Sequence, residues 1–212
     1  MSDSATNATS AAAVPDAVVP DKDAIRKQAF AARKELADKD ERSAAIVDRF
    51  LALPEYAAAG TVMFYIDVRT EVRTRQALPD AIASGKRVII PWCNDAGELE
   101  LFHLQSMEEL EIGMYKILEP RPDLKADRSK HVEAADLDLI MVPGVGFDRH
   151  GGRTGHGKGY YDKLLEHARP DCPIVALAFE CQLFDAIPMQ DHDIYMDKVV
   201  TEDAVYDGKG RS

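Results

Sequence analysis

The chain has 212 residues, which suits one domain with or without a tail. Its 46% hydrophobic and 30% charged residues are typical of a globular domain, while a formal net charge of −11 argues against general nucleic-acid binding, which uses a basic face. No run of about 18 apolar residues predicts a membrane span, and three cysteines without a C-x-x-C pair or a metal-type Cys/His spacing fit a reducing cytoplasm.

Residues 1–20 form a segment rich in Ala, Ser, Thr, Asn and Pro that contains Asp3 and Asp16 but no Lys or Arg. Without a basic start and an apolar core it does not resemble a secretory signal, and without arginine it does not resemble a mitochondrial presequence. We therefore predict a disordered tail over residues 1–20 and a single domain over residues 21–212.

Helical and strand patterns alternate through that domain. Asp21 is a candidate N-cap for a helix with apolar spacing to Leu36, and a second helix is predicted from about Asp40 to Leu53, where Pro54 ends it. The later predicted elements are strands over 61–66, 87–92, 99–104, 137–142, 174–179 and 198–201, and helices over about 74–84 and 160–167.

This alternation predicts an α/β fold with a largely parallel sheet, helices on both faces and an antiparallel hairpin formed by the second and third strands. In such sheets ligands collect beyond the carboxyl ends of the strands. The polar segments 67–71 and 144–159 follow two of the predicted strands and are therefore the candidate binding regions.

The stretch from Pro143 to Asp162 carries the strongest functional signal. It contains seven glycines with Arg153, His156 and Lys158 between them, and it connects a predicted strand to a predicted helix. Glycine lets backbone N–H groups approach a ligand, and a helix N-terminus favours anions. Neither the Walker A pattern nor G-x-G-x-x-G is present. We predict a phosphate-binding loop; the alternative is a flexible surface loop with solvated charges.

The same loop also supports a resemblance. Val142-Pro-Gly-Val-Gly-Phe-Asp followed by Gly-x-Arg-x-Gly-x-Gly-Lys-Gly-Tyr-Tyr-Asp resembles the signature of the 5-formyltetrahydrofolate cyclo-ligase family. Three further features occur in the family's order, namely Lys22 with Arg26, Glu71 after the first strand, and the stretch 193–202. The resemblance covers about residues 22–202. It implies a three-layer domain resembling the NagB/RpiA/CoA-transferase-like fold, and we expect a cytoplasmic monomer.

The resemblance implies an ATP- and Mg²⁺-dependent conversion of 5-formyltetrahydrofolate to 5,10-methenyltetrahydrofolate, with a phosphorylated formyl intermediate and release of ADP and phosphate. The expected partners are these small molecules, with no nucleic acid and no membrane. Such phosphoryl transfer requires mainly positioning and charge neutralisation. Two alternatives on the same fold are an enzyme acting on a sugar phosphate or acyl-CoA and a non-catalytic regulator.

The resemblance also implies roles for individual residues. Arg153 and Lys158 are the expected catalytic residues, because a guanidinium forks onto two phosphate oxygens and an ammonium adds a point charge. The expected nucleotide site comprises Lys22, Arg26, Arg153, Thr154, Gly155, His156, Gly157, Lys158, Gly159, Tyr160 and Tyr161. The expected folate site comprises Ile66, Glu71, Tyr115, His156, Gly157, Lys158, Gly159 and Tyr160. The expected Mg²⁺ ligands are Asp162 and Asp193.

Several of these assignments have an ordinary structural alternative. Lys22 and Arg26 would, without the resemblance, be a solvated helix face, and Asp162 would be an acidic first-turn residue favoured by the helix dipole. One of the two tyrosines that start the last predicted helix is expected to pack on the sheet. His156 replaces the arginine of some relatives, which makes its charge dependent on pH.

Overall fold

A computed structural model describes residues 20–113 and 117–211 of the protein. The predicted tail, apart from Pro20, and Tyr115 of the expected folate site therefore lie outside the described residues. The helices are α1 (Lys22–Glu35), α2 (Lys39–Leu51), α3 (Pro54–Ala58), α4 (Leu78–Ala83), α5 (Pro122–Lys125) and α6 (Tyr160–Glu166). The strands are β1 (Thr61–Met63), β2 (Arg87–Cys93), β3 (Leu99–Leu104), β4 (Leu110–Ile112), β5 (Leu118–Pro120), β6 (His131–Val132), β7 (Leu139–Val142), β8 (Gly146–Asp148), β9 (Arg153–Thr154), β10 (Ile174–Leu177), β11 (Leu183–Phe184), β12 (Lys198–Val200) and β13 (Val205–Asp207).

Eight of these strands form one sheet in the order β13-β12-β10-β7-β1-β2-β3-β6. The four central pairings, from β12 to β2, are parallel. Strands β13, β3 and β6 add antiparallel pairings at the two edges, and β2 with β3 forms the predicted hairpin. The predicted α/β fold with a largely parallel sheet is thereby confirmed.

Helices cover both faces of the sheet. On one face Val62 of β1 belongs to a buried cluster with Phe50 of α2 and residues of α4. On the other face Ile140 of β7 belongs to a second cluster with Leu165 of α6. Successive strand residues point to opposite faces, so the all-apolar central strands serve both clusters. No helix in the described part of the chain combines the length and the apolar character that a membrane crossing requires.

The structure differs from the predicted elements in three places. Strand β1 ends at Met63 rather than at residue 66, and the chain then leaves the sheet as a loop. The predicted helix over 74–84 is a 3-10 turn, Arg75–Ala77, followed by α4, which has Pro79 in its first turn, where a missing N–H is tolerated. Pro54 not only follows α2 but also starts α3. The other predicted boundaries agree within two residues.

A second, three-stranded sheet, β11-β8-β9, was not predicted from the sequence. Two of its strands, β8 and β9, form a hairpin directly after β7, where Phe147 pairs with Arg153 and Gly146 with Thr154, and β11 pairs with β8 from later in the chain. The buried carboxylate of Asp148 closes the turn between these strands by accepting hydrogen bonds from the N–H groups of His150 (2.9 Å) and Gly152 (2.8 Å). The first half of the predicted phosphate loop is thus a hydrogen-bonded hairpin.

Candidate active site

Helix α1 packs along the glycine loop, defined as residues 143–159. Arg26 donates from Nε to the carbonyl of Gly155 at 2.8 Å, and Lys22 forms an ion pair with Asp193. Lys22 and Arg26 lie one turn apart on the same helix face. The two cations that the sequence assigns to the nucleotide site therefore lie against the loop and against an expected metal ligand.

The same face of α1 continues to two residues that the sequence analysis did not select. The ring of Phe30 lies 5.5 Å from that of His156, and Arg33 donates from NH1 to the carbonyl of Gly144 at 3.2 Å. Phe30 is four residues after Arg26, and Arg33 is seven residues after it. Extending the helical stripe of Lys22 and Arg26 by two turns would have found both.

Arg153 and Asp162 are in direct contact. Arg153 lies in β9 with 5% of its surface exposed, and its NH2 donates to Oδ1 of Asp162 in the first turn of α6 at 2.5 Å. Its NH1 also reaches the carbonyl of Pro143 at 3.4 Å, whereas its buried Nε has no hydrogen-bond partner among the described residues. The structure thus places Arg153, the cation expected to bind phosphate, in contact with Asp162, an expected metal ligand.

The glycines of the loop serve two purposes. Gly151 has φ +88°, and a Cβ there would lie 2.2 Å from the carbonyl oxygen of Met196, so this position must be glycine for packing. Gly157 and Gly159 also have positive φ, +84° and +67°, but a Cβ at Gly159 would meet no atom within 4 Å. The second half of the loop, with exposed His156 and Lys158, is therefore the part that is open to a ligand.

Glu71 is a buried carboxylate in the Glu71 loop, defined as residues 64–75, which follows β1. It is 6% exposed and accepts a hydrogen bond from the N–H of Val68 at 3.0 Å. Burial raises the pKa of Glu71 to about 7, although the Val68 N–H and the charge of Arg33 act in the opposite direction. Its protonation state therefore changes near neutral pH, as is common for carboxylates in functional sites.

The Glu71 loop is held by its own hydrogen bonds. Asp67 accepts from the N–H groups of Thr74 (3.1 Å) and Arg75 (3.0 Å), and the Thr74 hydroxyl donates to the carbonyl of Tyr65 at 2.5 Å. Ile66, an expected folate contact, is half-buried and packs against the core cluster that contains β1. This frame fixes Glu71 at the carboxyl end of β1.

The two tyrosines that begin α6 point to different neighbours. Tyr161 packs against both core clusters, and its pKa is raised by burial and by Glu71 while Arg153 lowers it. The Tyr160 hydroxyl lies 4.0 Å from the position that a Cβ on Gly97, in the β2–β3 turn, would occupy. The Tyr161 ring thus lies beside Arg153, whose Cζ is 5.9 Å from its centre, and Tyr160 faces the hairpin.

The expected metal ligands carry carboxylate oxygens, the donor type that Mg²⁺ takes. Burial alone would raise the pKa of Asp193, but hydrogen bonds from Lys22 and from the Gln190 N–H lower it, so the carboxylate is ionised at neutral pH. Within residues 20–113 and 117–211, no group of three or more His, Cys, Asp or Glu side chains converges on a metal position.

Two concave spaces lie beside α2, and one of them borders the Glu71 loop at Arg73. One of about 500 Å³ is lined by residues at the α1–α2 turn together with Arg73, and one of about 320 Å³ is lined by α2 residues together with Asp38 and Glu202. None of the expected site residues lines either space. The candidate site is instead the surface between α1, the glycine loop and the Glu71 loop.

Comparison with known proteins gives one consistent family. Residues 18–202 match the family model described as the 5-formyltetrahydrofolate cyclo-ligase family. A 5-formyltetrahydrofolate cyclo-ligase of Mus musculus is 30% identical over 172 residues, covering 77% of this chain and 83% of that protein. A probable 5-formyltetrahydrofolate cyclo-ligase of Schizosaccharomyces pombe is 32% identical over 179 residues, covering 78% and 86%. The solved structure of 5,10-methenyltetrahydrofolate synthetase from Aquifex aeolicus is similar with a TM-score of 0.76 and 32% identity, covering 90% of this chain and 95% of that one.

Proposed function

The chain belongs to the 5-formyltetrahydrofolate cyclo-ligase family, and we propose that it converts 5-formyltetrahydrofolate to 5,10-methenyltetrahydrofolate while ATP becomes ADP and phosphate. The observation that carries the proposal is the meeting of two chemistries at one sheet edge. Arg153 offers a cation for phosphate and lies with its Cζ 5.9 Å from the ring of Tyr161, and Glu71 offers a buried acceptor for N–H donors after β1, the strand next to β7.

In the first step, the γ-phosphoryl group of ATP passes to the oxygen of the 5-formyl group. The bond from the γ-phosphorus to the bridging oxygen of ADP breaks as the bond to the formyl oxygen forms. Arg153 and Lys158 neutralise charge on the transferred group, and the N–H groups of Gly155, Gly157 and Gly159 hold the triphosphate. Lys22 and Arg26 extend this cationic surface along α1.

In the second step, the nitrogen at position ten attacks the activated formyl carbon. The bond from that carbon to the phosphorylated oxygen breaks, phosphate leaves, and the nitrogen gives up its proton to the departing phosphate or to solvent. Glu71 contributes by orientation, because an ionised carboxylate accepts hydrogen bonds from the pterin amino and ring N–H groups. Ile66 supplies an apolar contact beside it.

A bound Mg²⁺ supplies charge neutralisation on the phosphate oxygens. Asp162 and Asp193 would hold it, since both are carboxylates and both lie against cations of the nucleotide site. The hydrogen bond from Lys22 lowers the pKa of Asp193 against the effect of burial, which favours the ionised form that a hard cation requires.

The test is the absorbance of methenyltetrahydrofolate formed from 5-formyltetrahydrofolate, with ATP and Mg²⁺ both present or with either omitted. We expect product only with both present. If folded protein forms no product under any of these conditions, the proposal is rejected. The two alternatives, a sugar-phosphate or acyl-CoA enzyme and a non-catalytic regulator, would then have to be tested.

A further inference from the structure

We propose that Arg33 is a positioning residue that joins the two halves of the site, namely the glycine loop on the nucleotide side and the Glu71 loop on the folate side. It holds the glycine loop through the carbonyl of Gly144 and presents its positive charge to Glu71. The inference rests on the proposed role of Glu71 in folate binding. It adds a residue that lies outside the loop signature and outside the pair formed by Lys22 and Arg26.

The first support is the placement of the guanidinium. Arg33 is 2% exposed, and its NH1 donates to the Gly144 carbonyl, which also accepts from Nε2 of Gln182 at 3.2 Å. Its Cζ lies 5.3 Å from the centre of the Phe30 ring. Arg33 therefore fixes the first turn of the glycine loop from the α1 side, at the carboxyl end of β7.

The second support is that the hydrogen bonding of Arg33 is incomplete. Its Nε is buried and has no hydrogen-bond partner within the described residues. A buried charged group with an unsatisfied donor is costly, and an apolar side chain would fill the same space without that cost. The charge itself therefore needs an explanation, and Glu71 provides one, because this buried carboxylate follows β1, the strand next to the β7 end that Arg33 contacts.

The third support is the set of charges around Glu71. The groups that interact with it electrostatically are Arg33 of α1, Tyr65, Asp67 and Arg69 of the Glu71 loop itself, and Tyr161 of α6.

These groups act on Glu71 with different strength. Asp67 opposes ionisation of Glu71, and Arg69 is exposed, so solvent screens its charge. Arg33 is the buried cation of the set, and a buried charge is screened far less. Its guanidinium stays protonated throughout the pH range of enzyme assays.

Removing this charge has a specific consequence for the folate half. Without Arg33, Glu71 would hold its proton to a higher pH, because only the Val68 N–H and the exposed Arg69 would still favour the carboxylate. Binding of 5-formyltetrahydrofolate would then weaken at a pH where the unaltered protein still binds it. The KM for ATP would keep its pH dependence, since the phosphate-binding cations do not titrate there.

The experiment measures the KM for each substrate across about pH 6 to 9 for the unaltered protein and three variants. Arg33→Met removes the charge but keeps much of the volume, and Arg33→Lys keeps the charge. Arg49→Met is the matched control, because Arg49 also donates to carbonyls, those of Thr201 (3.3 Å) and Glu202, but on α2.

We expect Arg33→Met to raise the midpoint of the 5-formyltetrahydrofolate KM profile by about one pH unit. Arg33→Lys should restore the profile, and Arg49→Met should leave it unchanged. An unshifted profile in Arg33→Met, or an equal shift in Arg49→Met, would overturn the inference.

Two further variants keep the test decisive if Arg33→Met does not fold. Arg33→Gln retains a donor for the Gly144 carbonyl without the charge and should show the same upward shift. In Glu71→Gln the KM for 5-formyltetrahydrofolate should not vary with pH, and adding Arg33→Gln should not restore a pH dependence. A pH dependence in that double variant would mean that Arg33 acts through another group.

Failure of this inference can be told from failure of the proposed function. An unaltered protein that forms no product rejects the function. If the protein is active and its KM for 5-formyltetrahydrofolate depends on pH, but that dependence is the same in the Arg33 variants, only the role of Arg33 is rejected.

Discussion

The glycine loop and the Glu71 loop follow neighbouring parallel strands, β7 and β1, yet they offer opposite chemistry. The glycine loop carries the buried guanidinium of Arg153, the exposed Lys158 and an uncrowded backbone at Gly159, features that suit a polyanion. The Glu71 loop presents one buried carboxylate whose pKa is raised to about 7 by burial.

This contrast predicts that the two halves respond differently to pH and to mutation. Arginine and lysine remain charged at every pH used for an assay, so nucleotide binding should vary little. A carboxylate with a pKa near neutrality changes its hydrogen-bonding role over the same range. Single substitutions and changes of pH should therefore affect nucleotide binding and folate binding to different extents.

Arg153→Ala should lower turnover at saturating substrate roughly 10²–10³-fold, the usual loss when one donor to developing charge is removed. Initial rates of methenyltetrahydrofolate formation measure it. Arg169→Ala, at a half-exposed arginine paired with Asp138 and Asp171, serves as a control that should keep near-normal turnover. Near-normal turnover in Arg153→Ala itself would remove this residue from the chemistry.

Glu71→Ala should raise the Kd for 5-formyltetrahydrofolate about 10- to 100-fold, because hydrogen bonds to a charged group contribute about 1.5–3 kcal/mol. The Kd for ATP should change much less. Calorimetric titration with each ligand compares the two effects, and Glu71→Gln, which keeps the shape and one acceptor, should lose less. Weaker ATP binding with unchanged folate binding would instead assign Glu71 to the nucleotide half.

Lowering the pH below about 7 should raise the KM for 5-formyltetrahydrofolate by up to about tenfold per pH unit. The sign follows from the raised pKa of Glu71: above about 7 the carboxylate is ionised and accepts N–H donors, and below it the proton occupies an acceptor oxygen. The KM for ATP, measured in the same buffers with Mg²⁺ in excess, should stay nearly constant. A KM for ATP that varies with pH, together with a KM for 5-formyltetrahydrofolate that does not, would assign the titrating group to the nucleotide half instead.

His156→Arg should produce the smallest effect, a decrease in the KM for ATP of no more than about fivefold, as for a partly exposed ion pair. Partial burial and the charges of Arg33, Arg69 and Arg26 lower the pKa of His156, so the native ring is neutral at pH 7. Repulsion from the same arginines limits the gain from an added charge. His167→Arg, at the exposed end of α6, is the control, and an equal effect there would point to general electrostatics.

Much of the fold could be predicted from the sequence, because its determinants are local. All-apolar strands followed by polar segments, and helices with an apolar stripe, indicate a parallel sheet covered on both faces. The predicted cap at Asp21 is present, since its side chain accepts from the N–H of Ala24 at 2.7 Å. The hairpin of β8 and β9 was missed because its two strands are too short to show a period.

The sequence by itself determined the α/β class, the family and the types of side chain available for phosphate and folate. Tertiary structure alone decided which of them meet. Lys22 and Asp193 are 171 positions apart in the chain, and Arg33 reaches Gly144 across 111 positions. The pKa of Glu71 depends on burial by elements distant in sequence and on the charge of Arg33. Local patterns encode local conformation, whereas burial and charge proximity arise only when distant segments pack together.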